Sequence, residues 1–456
     1  MKPPLTPLLV VAFLVSGFLP FGSAEWFAGS ARVKITPEKP VDMAGYAGRT
    51  EPFKSIIHDL WAKALVLEDS TGARFAVIAT DLSGINADLN PGMYSGKARQ
   101  TGIQQENILL PWSHTHSGPR LRKANKSYPA VADGYLQSSI DYTKTLSEKL
   151  IRVVDLAARS LQAAELSWGQ GFVPFVMNRR QRTADGIRLN PNPSGHVDRS
   201  LPCLEVKGQN EDLIATLFQV ACHNTTLTAK NYALCSDFAG FAQLHIEEAY
   251  PGSNAMFMTG CAGNANPYPR GTLEIAADHG RTVGQEVCRL LSQELSPVRG
   301  PLSVKRADAR LSMQASRPIE ELEKIAVAGP NWLKVNARKM AEALKAGDSL
   351  PKHFEAPISV WLFADDLTLV GLSGEVVSGY ALAIQNAIGH RNLWIASYCH
   401  DYFGYLPTAQ IVRDGGYETR GLSNGLGWFY EKAEEEMTQA VAELAKRAGR
   451  QIDPGR

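Results

Sequence analysis

Along this chain, short runs of alternating apolar and polar residues give way to helical spacing and then return. Ala31 to Pro37 (ARVKITP) alternates as a half-buried strand does. Residues 60–69 and 74–81 (LWAKALVLED, RFAVIATD) are two apolar runs around Ser70-Thr71-Gly72, the pattern of a hairpin. Another run over 106–113 stops at His114. Helical spacing follows from Ala130 to Leu161, and strand-like runs return at 165–173, 202–207 and 212–221. Further helices are predicted over 238–249, 273–295, 317–345, 376–388 and 425–448. Strands are predicted between them at 254–259, 302–312, 357–363, 366–372 and 392–398. No internal repeat or low-complexity linker interrupts the pattern, and Pro191 to Pro202 reads as a loop between strands. The expectation is an α/β (mixed α+β) fold, a single large compact domain over 25–456 with mixed sheets and flanking helices.

Residues 1–24 stand outside that pattern. Lys2 precedes an apolar stretch from Leu8 to Leu19, and Gly22-Ser23-Ala24 supplies small residues, the three-part layout of a signal peptide cut after Ala24. The apolar stretch falls short of the about 20 residues that a membrane span requires, and no later segment reads as one. A secreted or periplasmic protein with no transmembrane segment is therefore expected. Its 47 Lys and Arg side chains against 46 Asp and Glu leave a net charge of +1. That balance argues for no nucleic acid partner, which would need a concentrated basic face. Cys203, Cys222, Cys235, Cys261, Cys288 and Cys399 show neither CxxC nor zinc-knuckle spacing. They read as small buried residues, with an exported chain allowing one disulfide among Cys222, Cys235 and Cys261.

Four apolar runs end in residues that can carry chemistry. The run over 106–113 ends at His114-Thr115-His116-Ser117-Gly118-Pro119, and on a continuous strand His114 and His116 would share a face. The run over 212–221 ends at Cys222-His223-Asn224, and Leu367 to Val370 leads to Ser373-Gly374-Glu375. The strand beginning near Leu393 precedes Tyr402-Phe403-Gly404-Tyr405. Sites in α/β folds gather at strand ends, because several strands finish together there and loops complete a pocket. Two histidines and a glutamate form a common ligand set for a catalytic zinc with one open position. Taken singly, each also suits a plain structural role: HxH a surface loop, Glu375 a helix cap, Tyr405 the core. Asp81 and Asp237 read as carboxylates that orient a ligating imidazole, or, for Asp237, as an N-cap. The loop Gly260 to Pro267 either offers N–H groups to a developing oxyanion or is a glycine turn. No GxSxG nucleophile elbow is read at a strand-to-helix turn, and there is no HExxH or GxGxxG segment. Metal-assisted hydrolysis is the chemistry these residues support best.

With HTHSGP, Gly29-Ser30-Ala31-Arg32, Met43-Ala44-Gly45-Tyr46-Ala47-Gly48-Arg49 and the strand-end residues in order, the mature chain resembles the neutral/alkaline non-lysosomal ceramidases. The resemblance implies a zinc ion held by His114, His223, Glu375 and Tyr405. It implies that His116 faces the zinc-bound water or the substrate carbonyl, and that Arg179 and Tyr417 line the substrate site. The activity implied is that of a zinc-dependent amidohydrolase, in which zinc-bound hydroxide attacks the amide of ceramide or a related N-acyl compound. The partner would be a small-molecule or lipid substrate, with transient contact to a membrane surface. Two departures stand out. The family's serine in Gly-Asp-x-Ser-Pro-Asn is Asn266 here, which removes a serine mechanism at that position, and the family's immunoglobulin-like C-terminal domain is expected to be absent. The same site acting on an ester, a lactone or a carbohydrate-linked amide is the alternative. A third reading, an exported binding protein without catalysis, predicts no tightly bound zinc.

Overall fold

The strand Trp61–Asp69 is buried on both faces. Leu65 and Leu67 join one apolar cluster while Ala62, Ala64 and Val66 join another, as the two-residue period of a strand dictates. It pairs antiparallel with Arg74–Thr80, Leu67 opposite Phe75, so the expected hairpin is present. Both strands belong to a large sheet ordered Asn254–Thr259, Leu213–Val220, Ser200–Gly208, Gln162–Phe172, Trp26–Lys34, Trp61–Asp69, Arg74–Thr80, Ile108–Leu109. Its two outermost pairings are parallel and those between are antiparallel. The computed structural model describes residues 25–86, 89, 101–123 and 135–452, and the expected signal peptide over 1–24 lies outside them.

A second sheet runs Leu302–Ser312, His353–Phe363, Leu367–Leu372, Leu393–Ala396, with only its last pairing parallel. Trp361, Phe363, Leu367, Leu369 and Trp394 pack against Trp26, Leu65, Leu67 and Phe75 of the first sheet. The two sheets therefore lie face to face around a shared apolar layer. Helix Leu136–Arg159 covers the first sheet's outer face near Ala64 and Ile78, and helices Asp237–Ala249 and Leu273–Leu291 cover it near Phe218 and Phe257. Helices Gly379–Ile388 and Ala433–Ala448 cover the outer face of the second. The layers run helix, sheet, sheet, helix, a mixed α/β fold. Strands buried on both faces read as apolar runs instead of strict alternation, which is why they were visible in the sequence.

Three departures have physical causes. The helix expected over 317–345 is two, Ile319–Ala328 and Asn331–Lys345. Pro330 lacks an N–H and disfavours helix in the residue before it. Val176–Thr183 and Gly186–Asn192 form a hairpin that pairs with Ala265–Pro267; its polar residues (VMNRRQRT, GIRLNPN) left no apolar pattern to read. All six cysteines are free, so the disulfide allowed among Cys222, Cys235 and Cys261 is not formed, and each of those three packs as a buried thiol. Among the described residues, no helix is long and apolar enough to cross a membrane.

At one end the sheets are stitched by backbone hydrogen bonds. Ser397 N donates to Thr259 O at 2.9 Å, Trp112 N to Tyr398 O at 3.2 Å and His400 N to Leu110 O at 3.1 Å. The chemistry-bearing residues lie at this seam.

Candidate metal centre

The first histidine arrives there by a different route from the one expected. Within 106–113 only Ile108–Leu109 is paired as a strand, after a single 3-10 turn at Gln105–Asn107. His114 itself has φ of 57°, so strand alternation does not place His114 and His116 on one face. A left-handed residue other than glycine costs about 1–3 kcal/mol and persists only where its surroundings hold it. Here Ser113 N donates to Thr80 O at 2.9 Å, His116 N to Asn224 O at 3.2 Å, and Thr115 Oγ1 to Cys235 O at 2.8 Å. The bend brings the two rings together, Nε2 to Nε2 at 3.1 Å. Gly45 then lies flat on His116: its φ is +89°, and a Cβ there would fall 2.3 Å from the imidazole. The Tyr46 ring meets the same imidazole edge-on at 4.8 Å, and Arg49 Nη1 donates to His116 O.

His223 follows the strand Leu213–Val220, and its N–H donates to Ala265 O at 3.1 Å. Glu375 and Tyr405 sit directly opposite each other in a short parallel pairing. Gly374 makes the bend before it; with φ of +79° it presses against Phe403, where a Cβ would fall 2.4 Å from the ring.

The donor atoms converge. Glu375 Oε2 lies 3.3 Å from His114 Nε2 and 3.2 Å from His223 Nε2, and His223 Nε2 lies 3.3 Å from Tyr405 Oη. His114 Nδ1 faces Ser83 O at 2.6 Å, and His223 Nδ1 faces Ala262 O at 2.9 Å and Ala265 O at 3.1 Å. A carbonyl can only accept, so both Nδ1 atoms carry the proton, and in the neutral rings both Nε2 lone pairs point inward. Burial, and then the Arg179 charge, push His223 down to about 4, so it is neutral at neutral pH. Burial opposes ionisation of Glu375, and its carboxyl falls well below the usual range only through positive charge or N–H donation from His114 and His223, a part that the Nδ1–H tautomers leave to a cation. Lone pairs and a carboxylate turned toward one point repel unless a cation lies among them. Ligands about 2.0–2.1 Å from a tetrahedral ion stand about 3.3 Å apart, the spacing seen here. The donors therefore fit a metal, and His114, His116 and His223 place their ring nitrogens within 4.8 Å of one another.

The other predicted residues fall around this point. Arg179 is buried: Nε donates to Glu418 Oε1 at 2.9 Å, Nη1 to Asn266 Oδ1 at 3.2 Å and Nη2 to Gly263 O at 2.8 Å. Its guanidinium stands 5.4 Å from the Tyr405 ring centre and 5.7 Å from that of Tyr417. Tyr417 meets Tyr405 edge-on at 5.5 Å and takes a hydrogen bond from Arg420 at 2.6 Å. Asp81 accepts from Ser236 Oγ, Gln243 Nε2 and Trp61 N. Asp237 accepts from Leu227 N and Phe238 N. Neither bonds to His114 or His223, whose rings are oriented by backbone carbonyls instead. Asp237 is not the cap either, since Ser236 holds the N-cap position of that helix. In the loop Gly260 to Pro267, the N–H groups of Gly260, Gly263 and Ala265 are spent on Val220, Val376 and Ala262 carbonyls. Asn264 is spent on Ser378, so those groups do not face an oxyanion.

Four positions carried no assigned role in the sequence. Tyr402 Oη donates to Glu375 Oε1 at 3.0 Å. Glu418, fully buried, binds Arg179 and Arg180 together. Tyr46 and Arg49 hold His116. Tyr402 stands three residues before Tyr405, and Tyr46 and Arg49 lie in a quoted segment; Glu418 showed no signal, because nothing local marks a residue for burial.

Comparison with known proteins bears on the family and the fold. The model of the neutral/alkaline non-lysosomal ceramidase N-terminal region matches residues 26–316. Neutral ceramidase of Pseudomonas aeruginosa is 26% identical over 249 residues, 52% of this chain and 36% of that protein. Neutral ceramidase A of Dictyostelium discoideum is 24% identical over 233 residues, 49% of this chain and 32% of the relative. The matched stretch thus spans about a third of the length of such relatives. The crystal structure of the Pseudomonas aeruginosa neutral ceramidase superposes with a TM-score of 0.73 at 20% identity, covering 95% of this chain and 76% of that one. The fold is shared, and the chain belongs to the neutral/alkaline non-lysosomal ceramidase family.

Proposed function

We propose that the protein is an exported zinc-dependent hydrolase that cleaves the amide bond of ceramide or a related N-acyl compound. The observation that carries this reading is the convergence of His114 Nε2, His223 Nε2, Glu375 Oε2 and Tyr405 Oη at 3.2–3.3 Å spacings. These four residues would hold the metal. Zinc there would supply Lewis acidity and make hydroxide available near neutral pH. His116 has a buried Nδ1 without a partner, and burial, reinforced by repulsion whenever His114 or His223 is charged, keeps its pKa well below the ordinary value. A neutral imidazole in that position serves as hydrogen-bond partner and proton acceptor to the reacting groups. Arg179 and Tyr417 flank Tyr405, fix its ring and line the approach. Tyr402 fixes the carboxylate of Glu375.

Zinc content and turnover test the assignment together. The purified protein should bind one zinc per chain and hydrolyse members of a panel of ceramides and other N-acyl compounds. His114→Ala should lose most of the zinc and the turnover with it. Full metal occupancy and undiminished hydrolysis in that variant would refute the ligand set.

A further inference from the structure

Beside the metal centre lies a cavity of about 240 Å³, lined by Met177, Arg179, Leu189, Asn266, Tyr268 and Arg270 among others. It adjoins the centre along two side-chain routes. Arg179 stands over Tyr405, and Arg270 Nη2 donates at 3.1 Å to Tyr46 Oη, whose ring packs on His116.

Two groups in the lining have hydrogen-bonding capacity to spare. Arg270 Nε is buried without a partner, and among the described residues Arg270 forms no ion pair. Arg179 and Arg180, by contrast, share the carboxylate of Glu418. Asn266 Oδ1 faces two donors, Arg179 Nη1 at 3.2 Å and Thr225 Oγ1 at 3.4 Å. These donors fix the amide orientation and leave its N–H pair for a ligand. A buried donor left unmade is costly, and the guanidinium fork matches the planar geometry of a carboxylate. The volume falls below the about 300–1,000 Å³ of sites that enclose drug-sized ligands. It is small for a long-chain base and suits a headgroup the size of an amino acid, with Met177, Leu189 and Tyr268 as apolar walls.

We propose that the substrate carries a carboxylate on its amine side, received by Arg270 with the Asn266 amide beside it. The preferred substrate class is then the N-acyl amino acids, ahead of neutral amides such as ceramide. This rests on the amidohydrolase reading above. Hydrolysis breaks the acyl C–N bond and adds one water, releasing a fatty acid and an amino acid, so no further co-reactant is needed.

The test compares N-lauroylglycine with N-lauroylethanolamine and a ceramide of the same acyl length, using zinc-loaded protein. Charge-assisted recognition predicts a kcat/KM for N-lauroylglycine about 10–100-fold above both neutral amides. Arg270→Gln should bring that ratio close to one, and Arg270→Lys should keep part of it, because a point charge lacks the forked geometry. Equal or faster turnover of the neutral amides by the wild-type protein overturns the proposal without any variant, as does an unchanged ratio in Arg270→Gln. If no amide is hydrolysed, the amidohydrolase reading fails and binding decides the carboxylate question. Calorimetric titration onto zinc-loaded His116→Ala protein should then show about tenfold tighter binding of N-lauroylglycine, and equal binding would reject it.

Discussion

The nitrogen side and the oxygen side of the centre are held in place by different parts of the chain. His114 and His223 are oriented through Nδ1 by the backbone carbonyls of Ser83, Ala262 and Ala265. Glu375 and Tyr405 depend on side chains: Tyr402 on the carboxylate, Arg179 and Arg420 over the phenol ring, and Glu418 behind Arg179. Backbone carbonyls come with the fold and survive substitution of the residue that bears them. Side-chain supports are removable one at a time. The imidazole directions should therefore be robust to mutation and the oxygen ligands fragile, although all four residues meet at one point.

The largest break in that comparison should come from Glu418→Gln. Glu418 is fully buried between two arginines. Burial alone would raise its pKa, but Arg179 and Arg180 hold it below the ordinary value. Its contribution to stability is thus present above the unfolded carboxyl pKa of about 4.3 and fades as pH falls through the lower folded value. The amide leaves two buried guanidiniums without a counter-charge, a loss of about 3–5 kcal/mol. Urea unfolding at pH 7 should show it as a lower midpoint with an unchanged slope. An unmoved midpoint would mean that water compensates the arginines and that the oxygen side is less dependent on this carboxylate than its burial implies.

Tyr402→Phe is a smaller and cleaner cut. It deletes one hydroxyl that donates to Glu375 Oε1 and leaves the ring in place. Removing an outer partner of a metal ligand typically costs 10–100-fold in metal affinity. The zinc dissociation constant, measured by competition with a chelator, should rise about tenfold, while the urea midpoint shifts little. An unchanged constant would show that Glu375 is held by the Glu375–Tyr405 pairing alone.

Much of the fold was legible because its central strands bury both faces: LWAKALVLED and RFAVIATD announce themselves by composition. The polar hairpin 176–192 was not, since its residues serve the site and the solvent instead of the core. For the site, strand ends pointed to His114, His223, Glu375 and Tyr405, and the family resemblance sorted them. A straight strand would put His114 and His116 on one face, whereas a left-handed turn held by long-range bonds brings the rings together. Long-range partners such as Glu418 and the Ser83 carbonyl leave no local trace, because only tertiary packing brings them to the site.

Asp81 is where sequence reasoning and geometry diverge, and it supplies the smallest expected effect on the metal. A carboxylate ending a strand beside two histidines suggests a group that orients an imidazole. Its oxygens instead take hydrogen bonds from Ser236 Oγ at 2.7 Å, Gln243 Nε2 at 3.1 Å and Trp61 N at 2.9 Å. Asp81→Asn would turn one acceptor into a donor facing donors, costing about 1–3 kcal/mol of stability. The zinc constant should change by less than about threefold, well under the effect of removing an orienting partner. A side-chain route from Asp81 toward the metal passes through Ser236 Oγ to Ser113 Oγ, 3.1 Å away and next to His114, and a backbone route runs through Leu82 to the Ser83 carbonyl that His114 Nδ1 faces. Ser113 is independently fixed by Thr80 O on its N–H and by Asn224 Nδ2 and Thr259 Oγ1 on its carbonyl. A tenfold loss of zinc affinity in Asp81→Asn would mean that those bonds do not hold His114 without Asp81, and that the nitrogen side depends on side chains as much as the oxygen side does.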